Sequence, residues 1–262
     1  MKFIRINPYG SSDSVTSLIA ALRERGANVK RLKYEGSTYR GSNNHLILNW
    51  GCHSRRSVDT QFPMINDPLA VQIASDKIKT FQKLKESGLE NNIPKFTTTK
   101  EEAIGWAASG ITVYCRTLTR SSQGRGIVVA NSANEVVDAP LYVGKCPRRR
   151  EIRIHVFNGE VISFAQKKKM SEERLAEDGI TYSNDVRSHG NGWVFAREGV
   201  VIPDEAKQVA IAAVGALGLQ FAALDMALSL NSPKIFEANT APGLEGATLE
   251  AYVEAVIRAA SE

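Results

Sequence analysis

Asn158-Gly159 stands between two runs of alternating side chains, Glu151 to Phe157 and Glu160 to Gln166. Both residues accept the positive φ that a two-residue turn between right-twisted strands demands, so the pair predicts an antiparallel hairpin. A second hairpin is predicted by Phe221 to Leu228 and Lys234 to Asn239, joined around Asn231-Ser232-Pro233. Between the two hairpins, Ala206, Val209, Ala210, Ala213 and Leu217 recur at helical spacing over residues 204–217. A closing helix is predicted from Leu249, Tyr252, Val253 and Val256.

The N-terminal stretch has a different rhythm. Residues 2–7 alternate as a strand; Val15, Leu18, Ile19 and Leu22 then lie on one helical face until Gly26, and His45 to Trp50 reads as another strand. This β-α-β unit carries no G-x-G-x-x-G after its first strand, so it lacks the dinucleotide fingerprint. Pro63 and Pro68 mark a junction. Beyond it, Ser75 is placed to cap a helix with Ile78, Phe81 and Leu84 on one face that ends near Gly88, and Thr99 with Glu102 has the spacing of a capping box. Strands at Ile111 to Arg116 and Gly126 to Ala130 flank a polar loop, Thr117 to Arg125, which resembles a flap that folds over a ligand. The chain thus divides into modules at 1–70, 71–140 and 141–262, an α/β organisation.

Charge and composition narrow the function classes. The chain has 262 residues, long enough for a sizeable core, with 43% hydrophobic and 23% charged residues, an ordinary globular balance. No apolar run approaches the about 20 residues that cross a bilayer, and Met1 to Ile6 alternates charge with apolar side chains, unlike a secretory signal. A cytoplasmic protein with no membrane partner is the expectation. Cys52, Cys115 and Cys146 lie far apart and form neither a C-x-x-C nor a disulfide framework. The net charge of +5 suits phosphate-bearing ligands. Nucleic acid is disfavoured, because aromatic residues do not interleave along the sequence with Arg148-Arg149-Arg150 or Lys167-Lys168-Lys169. Those runs read as solvated surface.

Three clusters point to chemistry. Asp225 lies in one strand of the second hairpin, and Glu237 and Asn239 share a face of the next. Two carboxylates and an amide oxygen are hard ligands suited to a Mg²⁺ ion that keeps waters and bridges phosphates; acids that merely solvate a strand are the competing reading. Arg153 stands with Glu151 and His155 on the polar side of an apolar strand, where a guanidinium can grip a phosphate in two places or simply pair at the surface. Arg120 to Gly126 offers hydroxyls and amides that can cradle phosphate, without the spacing of a P-loop. His189, in the long segment 167–195 with Arg187, Asn191 and Gly192, is assigned no catalytic role.

Taken together, Ser75-Asp76-Lys77, Val113 to Arg116, Ser121 to Gly126, Arg150 to Ile154, Leu224-Asp225 and Phe236 to Gly246 resemble, in order, the ATP-grasp superfamily. The last stretch is nearest to the RimK-type branch, beside the D-alanine:D-alanine ligase-like carboxylate-amine ligases. The resemblance implies an ATP-grasp fold with residues 1–70 as a preATP-grasp domain. It implies that Lys77 and Arg116 contact ATP phosphates, that Ser121, Ser122, Gln123, Gly124 and Gly126 close on the γ-phosphate, and that Arg153 steadies the transferred phosphoryl group. Leu141, Tyr142 and Val143 would read adenine through their backbone, and Asp225, Glu237 and Asn239 would bind Mg²⁺. Two departures stand out: Arg116 replaces the usual strand lysine, and Gly144-Lys145 replaces the acidic residue expected after Val143.

The activity so implied is ATP-dependent ligation of a carboxylate to an amine through an acyl-phosphate, with small molecules or a peptide terminus as substrates. The rival is a degenerate ATP-grasp that senses nucleotide or associates with nucleic acid, which Arg116 favours and the complete metal set with Arg153 opposes.

Overall fold

The computed structural model describes residues 1–33, 37–54, 62, 64–120, 125–147, 150–184, 186–229 and 232–262. Strand β1 (Phe3–Pro8) leads to helix α1 (Asp13–Glu24), whose N-cap Ser12 accepts the Val15 amide at 3.3 Å. Val15, Leu18, Ile19 and Leu22 are buried on one face, and Gly26 ends the run at φ 78, a conformation costly for any residue with a Cβ. Strands β2 (Val29–Arg31), β3 (His45–Trp50) and β4 (Met64–Ile65) complete a parallel sheet in the order β2-β1-β3-β4. Strand β2, only three residues long, is too short to show a period in sequence.

The central module opens on helix α2 (Pro68–Ala74), capped by Asp67. Ser75, expected to cap the next helix, instead closes α2 by donating its hydroxyl to the Val71 carbonyl at 2.6 Å. Asp76 caps α3 (Lys77–Glu86), accepting the Ile78 and Lys79 amides at 3.1 and 3.4 Å. A carboxylate is well suited there, because the helix N-terminus presents unpaired amides and partial positive charge. Then follow β5 (Phe96–Thr97), α4 (Lys100–Ala108), β6 (Val113–Arg116), β7 (Ile127–Ala130) and β8 (Leu141–Gly144), whose antiparallel sheet runs β5-β8-β6-β7. The capping box of Thr99 does not form; its amide donates to the Thr97 hydroxyl at 3.1 Å, and its own hydroxyl caps nothing.

Strands β9 (Arg150–Phe157) and β10 (Glu160–Lys169) form the predicted hairpin, with Asn158 and Gly159 at φ 45 and 80. Helix α5 (Glu172–Glu177), strand β11 (Trp193–Ala196), helix α6 (Asp204–Ala216), strands β12 (Phe221–Leu228) and β13 (Lys234–Asn239) and helix α7 (Ala247–Ser261) follow. The antiparallel sheet has the order β11-β10-β9-β12-β13. One face packs Ile152, Ile154, Val156, Leu224 and Met226 against Ala206, Ala210 and Ala213 of α6, with α2 and α3 alongside. The other face carries Phe157 and Phe221 at one end and the polar Arg153, His155 and Asp225 further along.

A second core joins the N-terminal sheet to this one. Trp50 stacks on Phe221 at 5.1 Å, and Tyr252 of α7 meets both rings edge-on at 5.5 and 6.0 Å. Beside it, fully buried Asn66 at φ 63 acts as a latch after β4. Its side-chain oxygen accepts the amides of Gln220 and Phe221 at 2.8 and 3.1 Å, its side-chain nitrogen donates to the Phe221 carbonyl at 2.8 Å, and its carbonyl accepts from Asn49 at 2.8 Å. Among the described residues no helix is long and apolar enough to cross a membrane.

Replacing Asn66 by alanine orphans the buried Phe221 amide and the Gln220 amide and puts alanine in a left-handed backbone position, which predicts a loss of about 2–4 kcal/mol in urea unfolding. Asn66→Gly removes the backbone strain but not the orphaned amides, so its midpoint should lie between that of Asn66→Ala and that of the parent.

Candidate active site

On the open face of the five-stranded sheet, register arranges the polar residues in rows. Arg153 on β9 pairs with Ala165 on one side and with Asp225 on the other, and Asp225 in turn pairs with Glu237. Two residues along, the next row reads Ser163, His155, Ala223 and Asn239. The ladder slips between Asp225 and Met226, which are matched to Glu237 and Ile235, so Phe236 is an extra residue. This bulge lets Phe236 and Glu237 both reach the cavity that strict alternation would give to only one of them.

The cavity measures about 630 Å³ and lies between this face and the sheet of β6 and β8. Arg116, Val143, Arg153, Asp225, Glu237 and Asn239 line it. The Arg153 guanidinium grips Asp225 in two places, Nε to Oδ1 at 2.6 Å and Nη2 to Oδ2 at 2.8 Å. Burial works to raise the Asp225 carboxyl, but Arg153 and Lys167 outweigh it and hold the group below its usual range. Lys77, 5% exposed at the start of α3, reaches Glu237 at 3.5 Å, and its burial depresses the ammonium against the pull of that carboxylate.

Gly126 closes the base of the flap at φ 72, where a Cβ would meet Leu118 at 2.9 Å, and its carbonyl accepts the Thr117 amide at 2.8 Å. Ser121, Ser122, Gln123 and Gly124 lie outside the described residues.

The three residues expected on the adenine side, Leu141, Tyr142 and Val143, lie in strand β8. Tyr142 and Val143 are paired to β5 on one edge and β6 on the other, and Leu141 is paired to β6. Their backbone groups therefore serve the sheet, and the Tyr142 hydroxyl is turned away to the Ala139 amide and Val137 carbonyl. Val143 lines the cavity, but the connector beside it consists of Gly144, Lys145 and Cys146. Strand β8 belongs to the central sheet, between β5 and β6.

Sequence reasoning passed over a second charged group. Lys167 is not solvated surface: it turns inward, donating to Glu151 at 2.5 Å and to the Arg187 carbonyl at 3.0 Å, with Asp225 at 3.9 Å. Arg187 lies 4.0 Å from Glu151 and stacks on Trp193 at 4.3 Å. Arg153 and Lys167 face the Phe195 ring, and Lys169 lies over Tyr182, which tilts against Trp193. Cations and aromatics thus interleave in space although they do not in sequence. The visible signal was Glu151 on the polar side of an apolar strand; its partners lie too far along the chain to be read from spacing.

The residues fit a magnesium nucleotide. Asp225, Glu237 and Asn239 offer two carboxylates and an amide oxygen, a small set of hard ligands that leaves room for phosphates and water around such an ion. The Nδ2 of Asn239 and the Nε of Arg116 are buried and without a hydrogen-bond partner among the described residues, the kind of orphan that a bound ligand satisfies.

No family model matches the chain. A probable alpha-L-glutamate ligase of Klebsiella pneumoniae (strain 342) is 27% identical over 197 residues, which cover 70% of this chain and 61% of that relative. The chain therefore spans about three fifths of the length of that curated relative. Among solved structures, the ATP-grasp ligase PsnB, complexed with a phosphomimetic variant of its minimal precursor, Mg and ADP, superposes with a TM-score of 0.68 at 14% identity, covering 99% of each chain. A RimK domain ATP-grasp protein from Sphaerobacter thermophilus does so with a TM-score of 0.64 at 14% identity, covering 97% of this chain and 98% of that one.

One group on the face has a stability signature. Burial, and next the Arg153 charge, push the His155 imidazole down to about 3. Between that value and an unfolded value near 6.5 the unfolded chain binds the extra proton, so this stability is present above about pH 6.5 and falls as pH drops toward 3. His155→Gln should flatten the pH dependence of unfolding free energy by about 1.4 kcal/mol per pH unit in that window, measured by urea titration at several pH values.

Proposed function

From the ATP-grasp fold that this chain shares with those ligases, we propose that it is an ATP-dependent carboxylate-amine ligase of RimK-like type. The observation that carries this reading is the row of Arg153, Asp225 and Glu237 on the wall of a cavity that Arg116 enters from the opposite sheet. Asp225, Glu237 and Asn239 would hold Mg²⁺, which neutralises charge on the phosphates when bound. Arg116 in the cavity wall and Lys77, which reaches Glu237, would contact the same phosphates, and the flap based on Gly126 would cover them.

Arg153 has two tasks in this scheme. It keeps Asp225 ionised, and its face toward the cavity is placed to steady the phosphoryl group as it passes from ATP to a substrate carboxylate. The resulting acyl-phosphate is attacked by an amine, releasing phosphate, so the chain acts by positioning and charge and needs no side-chain nucleophile. The inward cations Lys167 and Arg187 favour an acidic substrate such as an amino acid or a peptide terminus.

A nucleotide sensor is the second reading, favoured by Arg116 in place of lysine. Pairwise screening of amino acids and short peptides for ADP release and for the mass of a condensed product separates the two. A ligase should release ADP sharply faster when the right donor and acceptor are both present, and Glu237→Ala should abolish this while the far-ultraviolet spectrum stays unchanged. Saturable ATP binding without ADP release across the panel would mark a sensor, and a Glu237→Ala variant with parental turnover would remove the metal assignment.

A further inference from the structure

His155 has no part in that scheme, yet it is 3% exposed, faces the cavity and stands in the row beside Arg153 and Asp225. We propose that His155 is a catalytic hydrogen-bond donor whose Nε2–H steadies the acyl oxygen while the amine attacks. The proposal rests on the ligase reading above.

The direction of the donor follows from Tyr252. That phenol is fully buried, with Trp50, Phe157 and Phe221 each meeting its ring edge-on, and its hydroxyl lies 3.3 Å from His155 Nδ1. Among the described residues no other acceptor is within its reach. A buried hydroxyl without an acceptor costs about 1–3 kcal/mol, so the phenol donates and Nδ1 accepts. In a neutral ring the proton then resides on Nε2, which has no hydrogen-bond partner among the described residues and lies on the ring edge away from Tyr252.

The ring is also kept neutral. Burial depresses its basicity most and the Arg153 charge next; the Asp225 carboxylate opposes them, and Arg197 adds a smaller lowering. A neutral imidazole of low basicity donates to a growing negative charge and keeps its proton. Across the sheet from His155 stands Ala223, and beyond it Asn239, so the small side chain leaves space in front of the ring. The row of Arg153 and Asp225 is two residues along the strand, about 7 Å away, which suits an acyl group next to a phosphoryl group.

In the step concerned, the amine lone pair forms the C–N bond while the carbonyl π pair moves onto oxygen, where Nε2–H meets it. When that pair returns, the C–O bond to phosphate breaks, phosphate leaves with the bonding pair, and it takes up the proton that nitrogen loses. His155 ends the step as it began.

Two measurements test this, and the first needs no substrate. Two-bond proton-nitrogen correlation spectra of the histidine-labelled protein at pH 7 should show His155 neutral with its proton on Nε2, and Tyr252→Phe should disturb that preference. A proton on Nδ1, or an imidazolium, overturns the proposal whatever the enzyme does. The second measurement uses the fastest donor-acceptor pair from an amino-acid and short-peptide panel. His155→Phe, and the double variant His155→Phe/Tyr252→Phe that leaves no orphaned hydroxyl, should lose about a hundredfold or more in kcat with the KM for ATP unchanged. His155→Gln, which retains an N–H near the position of Nε2, should stay within about tenfold of the parent, and Tyr252→Phe alone should lose less than His155→Phe. A double variant within threefold of the parent overturns the role. A parent that shows the Nε2 proton but releases no ADP with any pair fails as a ligase, which removes the oxygen this donor would serve.

Discussion

The paired hydrogen bonds between Arg153 and Asp225 determine what the rest of the site can be. Both side chains project from the middle of a sheet, where an isolated charge would be expensive to keep, and each makes the other tolerable. Removing one partner of such a pair costs about 3–5 kcal/mol, because the survivor is left buried and uncompensated. The pair also fixes register: Asp225 can lie opposite Glu237 and beside Arg153 only if β9, β12 and β13 align as they do, with the bulge at Phe236 absorbing the extra residue.

From that register the remaining placements follow. The apolar residues of the same strands turn to α6 and form the largest core, which holds the sheet rigid behind the charges. Rigidity matters because stabilisation of a phosphoryl group depends on charges held in place before the ligand arrives. The N-terminal sheet is tied to β12 by Asn66 and by the stack of Trp50 on Phe221, and the same aromatic group orients Tyr252 and, through it, His155. A packing feature of one module thereby reaches the cavity face of another.

Much of this was legible in the sequence, and the exceptions have physical reasons. Asn158-Gly159 predicts its hairpin because the turn needs positive φ at both positions, and the runs Phe221 to Leu228 and Lys234 to Asn239 around Asn231-Ser232-Pro233 predict the second pair of strands with its acids. The capping of α3 by Asp76 in place of Ser75 depended on where α2 ends, a matter of one residue. The pairing of Leu141 to Val143 with β5 and β6 was not legible, because those strands are separated from it along the chain. The same distance hid the pairing of Lys167 with Glu151 and the stacking of Arg187 on Trp193. Local chemistry reads well from spacing, whereas contacts that close long loops do not.

A row of Arg153, Asp225 and Glu237 that binds metal and phosphate together should couple ATP binding to Mg²⁺. Calorimetric titration of ATP into the protein, with and without Mg²⁺, tests it most directly. One saturable site should tighten by about tenfold or more, or about 1.4 kcal/mol, when Mg²⁺ is present, with that gain lost in Asp225→Asn/Glu237→Gln. ATP affinity indifferent to Mg²⁺, or a gain that survives loss of both carboxylates, would contradict it.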